Sequence, residues 1–275
     1  CCEVIPVPVL QDNYAYLVID KATQMTACVD PAEPRKVLAA AAARGVTLST
    51  LLCTHKHADH AGGNAEMARR VPGLSVVGSA LEDAVPAVTR ALRDGETVEL
   101  GELIVKSVHT PCHTRGHAAF LVTHRDGDTH GAPVLFSGDT LFVGGCGRFF
   151  EGDAQDMLKS LGPGGSLWDL PLETRVYCGH EYTVSNLEFA ATIEPDNAVL
   201  RAKLEWAKDM VADGQPTIPS TIGEELAYNP FMRTNVPEVM AAVGASTPVE
   251  CMAALRARKD VFRPPPSDAS RFPRL

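Results

Sequence analysis

The chain has 275 residues, enough for one large domain or two smaller ones, and its 45% hydrophobic and 21% charged residues are ordinary for a globular protein. Its net charge of −9, without a block of lysines or arginines, argues against a nucleic-acid substrate, because phosphates require a basic surface. No apolar run approaches the length of a membrane span, so we expect no membrane partner.

The eight cysteines are scattered without a C-x-x-C pair, and several of them follow apolar residues. This pattern indicates free, buried thiols in a reducing compartment rather than a disulfide framework. The first residues also lack the basic and apolar segments of a signal peptide. We therefore expect a cytoplasmic protein, or a protein of the mitochondrial matrix if a presequence was removed before residue 1.

The first part of the chain alternates predicted strands with predicted helices. Strands are predicted at 4–10, 14–19 and 25–29, followed by a helix at 34–44 and a buried strand at 48–53. Further elements are a helix at 64–70 and strands at 75–77, 97–100, 103–108, 118–123 and 134–136. This order predicts an α/β fold in which two sheets pack together with helices outside.

The pattern becomes mainly helical after about residue 180. A helix at 153–161 is followed by helical periodicity at 184–193, 197–211 and 249–259, with proline and glycine breaks between these segments. We therefore predict two domains: residues 1–180 form the α/β domain and residues 181–275 form a second, mainly helical domain.

Four residues with side chains that bind metal ions follow the predicted strand at 48–53: His55, His57, Asp59 and His60. Imidazole nitrogens and carboxylates are the groups that a divalent ion such as zinc accepts. An extended backbone points His55 and His57 to the same side, whereas Asp59 and His60 must turn toward another point. The spacing therefore favours two metal ions over one.

Three further candidate ligands each follow a predicted strand: His113, Asp139 and His180. Taken singly, each has an ordinary explanation, as a core or surface histidine or as a turn aspartate. Their shared position at strand ends favours convergence on one edge of the fold, where α/β proteins commonly place their sites.

The order H-x-H-x-D-H resembles the signature of the metallo-β-lactamase superfamily, and longer segments resemble the glyoxalase II (hydroxyacylglutathione hydrolase) family. The matching segments are 54–64, 110–117, 136–147, 177–183, 229–233 and 256–260. The resemblance implies an αββα metallo-β-lactamase-like sandwich with a C-terminal, mainly α-helical domain that binds glutathione.

This resemblance divides the seven candidate ligands between two divalent ions, which could be zinc, iron or manganese. The first ion is implied to be bound by His55, His57 and His113. The second is implied to be bound by Asp59, His60 and His180, with Asp139 bridging the two. Asp59 and Asp139 are also the catalytic candidates, Asp59 because it would orient the nucleophile.

The resemblance also implies contacts to glutathione, made by Arg148, Phe150, Tyr182, Asn186, Arg256 and Lys259. Arg148 replaces a lysine that is usual in the family. Phe150 stands where the family often has a tyrosine that hydrogen-bonds glutathione, so one expected contact is missing here.

The activity implied by the resemblance is the second step of methylglyoxal detoxification: hydrolysis of S-D-lactoylglutathione and related 2-hydroxyacylglutathiones to glutathione and D-lactate. We expect a monomer acting on this small-molecule thioester.

Two alternatives within the superfamily stay open. A mononuclear-iron persulfide dioxygenase would not need Asp59, His60 and His180 as a second metal site. A lactonase would lack the Arg256 and Lys259 pair. A non-enzymatic scaffold would be expected to have lost ligands, and none is lost.

Overall fold

The computed structural model describes residues 2–127 and 131–263, and the chain divides into two compact units. Unit 1 comprises Cys1–His109 and Thr114–Gly138, and unit 2 comprises Thr110–His113 and Asp139–Leu275. The short segment that contains His113 therefore belongs to unit 2, although its neighbours on both sides along the chain belong to unit 1.

Unit 1 contains a mixed six-stranded sheet whose strand order follows the chain. Its strands are β1 Cys2–Val9, β2 Asn13–Asp20, β3 Thr26–Val29, β4 Leu48–Leu52, β5 Ser75–Ser79 and β6 Arg90–Leu92. The first three strands pair antiparallel, and β3 to β6 pair parallel. All residues of β2, β3 and the last three of β4 are buried, as expected for a sheet covered on both faces.

Four further strands of unit 1 form an antiparallel meander. They are β7 Thr97–Leu100, β8 Leu103–His109, β9 Ala118–His124 and β10 Val134–Gly138. The ring of Tyr16 on β2 packs against that of Phe136 on β10, with the centroids 5.3 Å apart. This buried aromatic contact joins the two layers of strands in a sandwich.

The helices of unit 1 are α1 Pro34–Ala43, α2 Ala58–Ala61 and α3 Asn64–Arg70. Proline begins α1, where its missing N–H costs no intrahelical hydrogen bond. Val37 of α1 and Met67 of α3 are fully buried in one apolar cluster with Leu17, Leu51 and Val76 of the first sheet. This core fixes the end of β4, which leads directly into the H-x-H-x-D-H segment.

Unit 2 contains short strands and most of the helices. The strands are a hairpin of β11 Leu141–Phe142 and β12 Gly145–Cys146, and an antiparallel pair of β13 Arg175–Cys178 and β14 Ser220–Thr221. The helices are α4 Ala154–Leu161, α5 Thr183–Ile193, α6 Ala198–Ala212, α7 Ile222–Tyr228, α8 Pro237–Val243 and α9 Pro248–Val261, with a 3₁₀ turn at Pro230–Met232.

The predicted α/β sandwich with a C-terminal helical region is confirmed, and so are the longer strands and helices. The sequence missed α2, β6, the β11–β12 hairpin, β14, α7 and α8. Each of these is seven residues or shorter. Such lengths hold at most two turns of helix or a few strand residues, so they carry too little periodicity to be recognised.

The prediction of free thiols is confirmed for the seven cysteines that the structure describes, all of which are buried. Cys1 lies outside the described residues. Burial raises the pKa of Cys146 and of Cys251 to about 11, so these thiols stay protonated and unreactive at neutral pH.

Among the described residues, the helices are too short or too polar to cross a membrane.

Candidate metal centre

In unit 1, the ligand-type residues follow β4 at the start of α2. His55 and His60 are fully buried, whereas His57 and Asp59 are partly exposed. The Nε2 atom of His55 lies 3.0 Å from Nδ1 of His57, and the ring of His60 packs 4.3 Å from that of His55. Three imidazole rings are therefore gathered within one short segment.

The buried carboxylate of Asp30, which belongs to no recognisable sequence motif, orients two of these rings. Its Oδ2 atom lies 2.9 Å from Nδ1 of His60 and accepts a hydrogen bond from the Thr54 hydroxyl at 2.7 Å. Its Oδ1 atom accepts from the Thr54 backbone N–H at 2.8 Å. Because an ionised carboxylate only accepts, the neutral form of His60 carries its proton on Nδ1 and its lone pair on Nε2.

The same reasoning fixes His55 through Thr54. The Thr54 hydroxyl proton points to Asp30, so Thr54 Oγ1 accepts from Nδ1 of His55 at 3.0 Å. His55 therefore presents an Nε2 lone pair toward His57. Metal-binding histidines commonly have their other ring nitrogen fixed in this way.

Asp59 is held in place by Asn13, the first residue of β2. The Asn13 side-chain amide donates to the Asp59 carboxylate at 3.0 Å and to its backbone carbonyl at 3.2 Å. This places Asp59 Oδ2 at 3.6 Å from Nε2 of His60. A carboxylate oxygen and an imidazole lone pair thus face each other.

In unit 2, His113 and His180 converge on one oxygen of Asp139. Their Nε2 atoms lie 3.4 Å and 3.3 Å from Asp139 Oδ2, and all three residues are buried. The other ring nitrogen of His113 lies 3.1 Å from the backbone carbonyl of Arg148 and must donate to it. In neutral His113 the Nε2 lone pair therefore points at the Asp139 carboxylate.

This close approach depends on a glycine at position 147. A Cβ atom there would lie 1.9 Å from the Asp139 carbonyl oxygen and 3.0 Å from Nδ1 of His113. Any larger residue would push the chain away from the main chain of Asp139 and from the ring of His113. The matching segment 136–147 of the sequence thus ends at a residue on which the geometry of the ligands depends.

The arrangement in each unit fits a divalent metal ion. In unit 1, the Nε2 lone pair of His60 faces a carboxylate oxygen of Asp59. In unit 2, the Nε2 lone pair of His113 faces a carboxylate oxygen of Asp139. Such a pair is attractive only when a cation, either a proton or a metal ion, lies between the two atoms. Several such contacts, made only by histidine nitrogens and carboxylate oxygens, are the donor set of zinc-type sites.

Two aromatic residues of the predicted glutathione site pack on the histidines of unit 2. Phe150 is 60% exposed and contacts the His113 ring edge-on at 5.1 Å. Tyr182 is 37% exposed and stacks on the His180 ring, with centroids 4.7 Å apart and planes 7° apart. A partly exposed aromatic ring therefore borders each of the two histidines.

The other four predicted contacts have different surroundings within unit 2. Arg148, Phe150 and Arg256 line a cleft of about 450 Å³, which Asp260 also lines. Asn186 is buried and donates to the carbonyl of Val143 at 3.1 Å. Among the described residues, the lining of this cleft includes neither Asn186 nor Tyr182 nor Lys259.

Arg256 and Lys259 of α9 both contact main-chain carbonyls. Arg256 is buried, donates to the Cys146 carbonyl at 2.9 Å, and pairs with Asp260 at 2.9 Å. Lys259 donates to the Ser185 carbonyl at 2.9 Å. Burial, followed by the positive charge of Arg256, lowers the pKa of Lys259 to about 8. The α9 pair is therefore built into unit 2 and is not a solvated helix face.

The chain resembles known proteins along nearly its whole length. Residues 24–180 match the Metallo-beta-lactamase superfamily, and residues 181–262 match the Hydroxyacylglutathione hydrolase C-terminus. The chain is 47% identical to "Hydroxyacylglutathione hydrolase cytoplasmic" of Arabidopsis thaliana, with 95% of this chain and 99% of that protein covered. It is 45% identical to "Hydroxyacylglutathione hydrolase-like protein" of Gallus gallus, with 94% and 90% covered.

A solved structure of TTHA1623 in a di-iron-bound form is 28% identical, with a TM-score of 0.55 over 83% of this chain and 99% of that one. The fold and the histidine–carboxylate segments are those of a metallo-β-lactamase-type metalloprotein. Within that superfamily, the chain belongs to the hydroxyacylglutathione hydrolase (glyoxalase II) family.

Proposed function

We propose that this protein hydrolyses S-D-lactoylglutathione and other 2-hydroxyacylglutathiones to glutathione and the free 2-hydroxy acid, D-lactate in the first case. The observation that carries the proposal is the 47% identity to a hydroxyacylglutathione hydrolase, 99% of which is covered. Residues 181–262 match the Hydroxyacylglutathione hydrolase C-terminus, and this match supports a glutathione thioester as the substrate.

The proposal includes two divalent ions, zinc, iron or manganese, shared among the seven ligands. The first ion would be held by His55, His57 and His113. The second would be held by Asp59, His60 and His180, with Asp139 bridging. The acceptor-to-acceptor contacts within each unit and the di-iron form of TTHA1623 support this assignment.

Divalent ions bound there would supply polarisation of the thioester carbonyl and a more acidic water. The chain's own residues would orient the reactants. Asp59, fixed by Asn13, would accept a hydrogen bond from the attacking water and align it with the carbonyl. Asp139 would keep its negative charge between the two groups of histidines. The leaving thiolate is a stable anion, so the site needs no strong general acid.

The predicted domains take separate roles in this proposal. Residues 1–180 would carry the ligands, and residues 181–275 would recognise the peptide part of glutathione. Phe150 and Tyr182 would contact the apolar part of the thioester beside His113 and His180. Arg148, Arg256 and Lys259 would attract the carboxylates of glutathione. Asn186, whose amide donates to the Val143 carbonyl, would add a contact to the peptide.

The proposal is tested by following the thioester absorbance of S-D-lactoylglutathione, together with metal analysis of the same sample. A small thioester of D-lactate that lacks the glutathione peptide serves as the matched substrate. We expect kcat/KM to be far higher for the glutathione thioester. Equal values for the two substrates would contradict glutathione recognition, and no hydrolysis of either by fully metallated protein would contradict the activity itself.

We also propose that the protein acts as a monomer in the cytoplasm, the location that is part of the Arabidopsis relative's name. The mitochondrial matrix is the alternative location. Gel filtration with light scattering tests the first point, and fractionation of the source cells tests the second.

A further inference from the structure

Glu82 has a buried carboxylate that belongs to no recognisable sequence motif and has no role in the proposed function. It lies in the turn after β5, and its side chain is only 1% exposed. One oxygen lies 3.4 Å from the ammonium of Lys56, and the other accepts a short hydrogen bond from the hydroxyl of Thr114. Burying a carboxylate is costly unless such partners offset it, so these contacts are specific.

The backbone of the same turn packs directly against the loop that contains Thr114. A Cβ atom at Gly116 would lie 2.2 Å from the Leu81 carbonyl oxygen and 2.3 Å from the backbone nitrogen of Glu82. The turn itself is fixed by Ser79, whose hydroxyl accepts from the Leu81 N–H at 3.1 Å. Glu82 therefore lies in a hydrogen-bonded turn that packs closely against the backbone at Gly116.

The two partners of Glu82 are neighbours of proposed metal ligands along the chain. Lys56 lies between His55 and His57, and Thr114 directly follows His113. One buried carboxylate thus connects the two chain segments that supply all three proposed ligands of the first ion. Asp59 is instead hydrogen-bonded to Asn13, and His60 is hydrogen-bonded to Asp30.

We propose that Glu82 is a positioning residue that holds these two segments at the spacing required by the first metal ion. The inference rests on the proposed function, because it assumes that His55, His57 and His113 share one ion. Without the Glu82 carboxylate, Lys56 and the Thr114 hydroxyl would lose their common partner. The first ion would then bind more weakly, while the second would keep its affinity.

The experiment is a metal titration of the purified protein against a competing chelator, with metal content measured after each step. In Glu82→Gln we expect one of two ions to bind about ten- to a hundredfold more weakly, the usual effect of removing a residue that orients metal ligands. The second ion should be retained as in the wild type. Glu66→Gln is the matched control, because Glu66 forms an exposed ion pair with Arg70 on α3.

A pair of variants at Thr114 separates positioning from a general loss of folding. Thr114→Val keeps the shape but removes the hydroxyl, and should reproduce the selective loss of one ion. Thr114→Ser keeps the hydroxyl and should restore wild-type retention. Unchanged affinity for both ions in Glu82→Gln and Thr114→Val, or a parallel loss of both ions, would overturn the inference. Wild-type protein that never exceeds one ion would instead overturn the two-metal proposal on which the inference depends.

Discussion

Asp30 acts on the histidine segment from the end of a neighbouring strand. It lies one residue beyond β3, and its backbone N–H donates to the carbonyl of Leu52 at 3.0 Å. The parallel pairing of β3 with β4 therefore brings its carboxylate beside Thr54 and His60. Its φ of +46° is uncommon for a residue other than glycine, which indicates that the surrounding contacts impose this conformation.

We expect Asp30→Asn to weaken metal binding about ten- to a hundredfold, because three donors converge on the two carboxylate oxygens and the NH2 group of an amide would face at least one of them. The fixed tautomers of His55 and His60 would be lost with those hydrogen bonds. Metal content after dialysis against graded chelator measures the effect. Asp196→Asn, an exposed change between α5 and α6, serves as the control. Wild-type retention in Asp30→Asn would contradict the orienting role.

Lys259 should give substrate binding a distinctive pH dependence. Its pKa of about 8 means that the ammonium is present below that pH and is lost above it. If the ammonium binds a glutathione carboxylate, KM should rise above pH 8 toward a limit about ten- to a hundredfold higher, because a hydrogen bond to a charged group contributes about 1.5–3 kcal/mol. The contact is remote from the thioester, so kcat should not follow it.

Lys259→Arg should remove this rise in KM, because arginine stays charged throughout the range. Lys106→Met, a change at an exposed lysine on β8, should leave the wild-type profile intact. Initial rates across pH 6.5–9.5 at saturating metal measure both parameters. A wild-type KM that stays flat through pH 8 would show that Lys259 does not contact the substrate in its charged form.

At the scale of elements, the β11–β12 hairpin is held by side chains from four parts of the helical region: Asn186, Glu225, Asn229 and Arg256. The buried Glu225 carboxylate accepts from the Gly144 N–H at 2.9 Å and from Asn229 at 2.9 Å. Burial raises the pKa of Glu225, and these donors offset part of that effect. The hairpin lies between Asp139 and Arg148, so the helices help to fix both residues.

Asn229→Ala should lower the free energy of unfolding more than Asn197→Ala does. Both asparagines cap a helical element through their side chains. Loss of a cap costs about 1 kcal/mol in either variant, and Asn197→Ala also loses a part-buried hydrogen bond to the Ala227 carbonyl at 3.0 Å. Asn229 also donates to the Gly145 carbonyl at 3.0 Å inside the core, and each buried group left unsatisfied costs about 1–3 kcal/mol more. Urea denaturation of both variants measures the difference, and equal losses would show that the hairpin contact is not stabilising.

For the whole molecule, metal removal should lower stability as well as activity. An ion that binds only the folded chain stabilises it by about 2.7 kcal/mol when its free concentration is a hundredfold above Kd. Chelator-treated protein should therefore melt at a lower temperature and recover when zinc, iron or manganese is added. Differential scanning calorimetry with magnesium as the control ion measures this shift. An identical Tm with and without metal would contradict tight binding to the folded state.

The seven candidate ligands could be predicted from the sequence because each lies next to a recognisable strand end or in a local motif. The H-x-H-x-D-H segment needs only six consecutive positions, and its flanking strand and helix have clear hydrophobic patterns. The same local reasoning predicted the α/β order, the helical C-terminal region and the free cysteines. These features depend on residues that are close along the chain.

The supporting residues depend on tertiary structure alone. Asp30 acts on His60 across 30 positions, and Glu225 reaches Gly144 across 81. Glu82 contacts Thr114 across 32 positions, in a turn with no pattern of its own. Such pairs are set by strand register and by how buried polar groups find partners, and neither is visible in local periodicity. The sequence therefore determined which groups are candidates to bind metal, and the tertiary structure decided which residues contact and orient those groups.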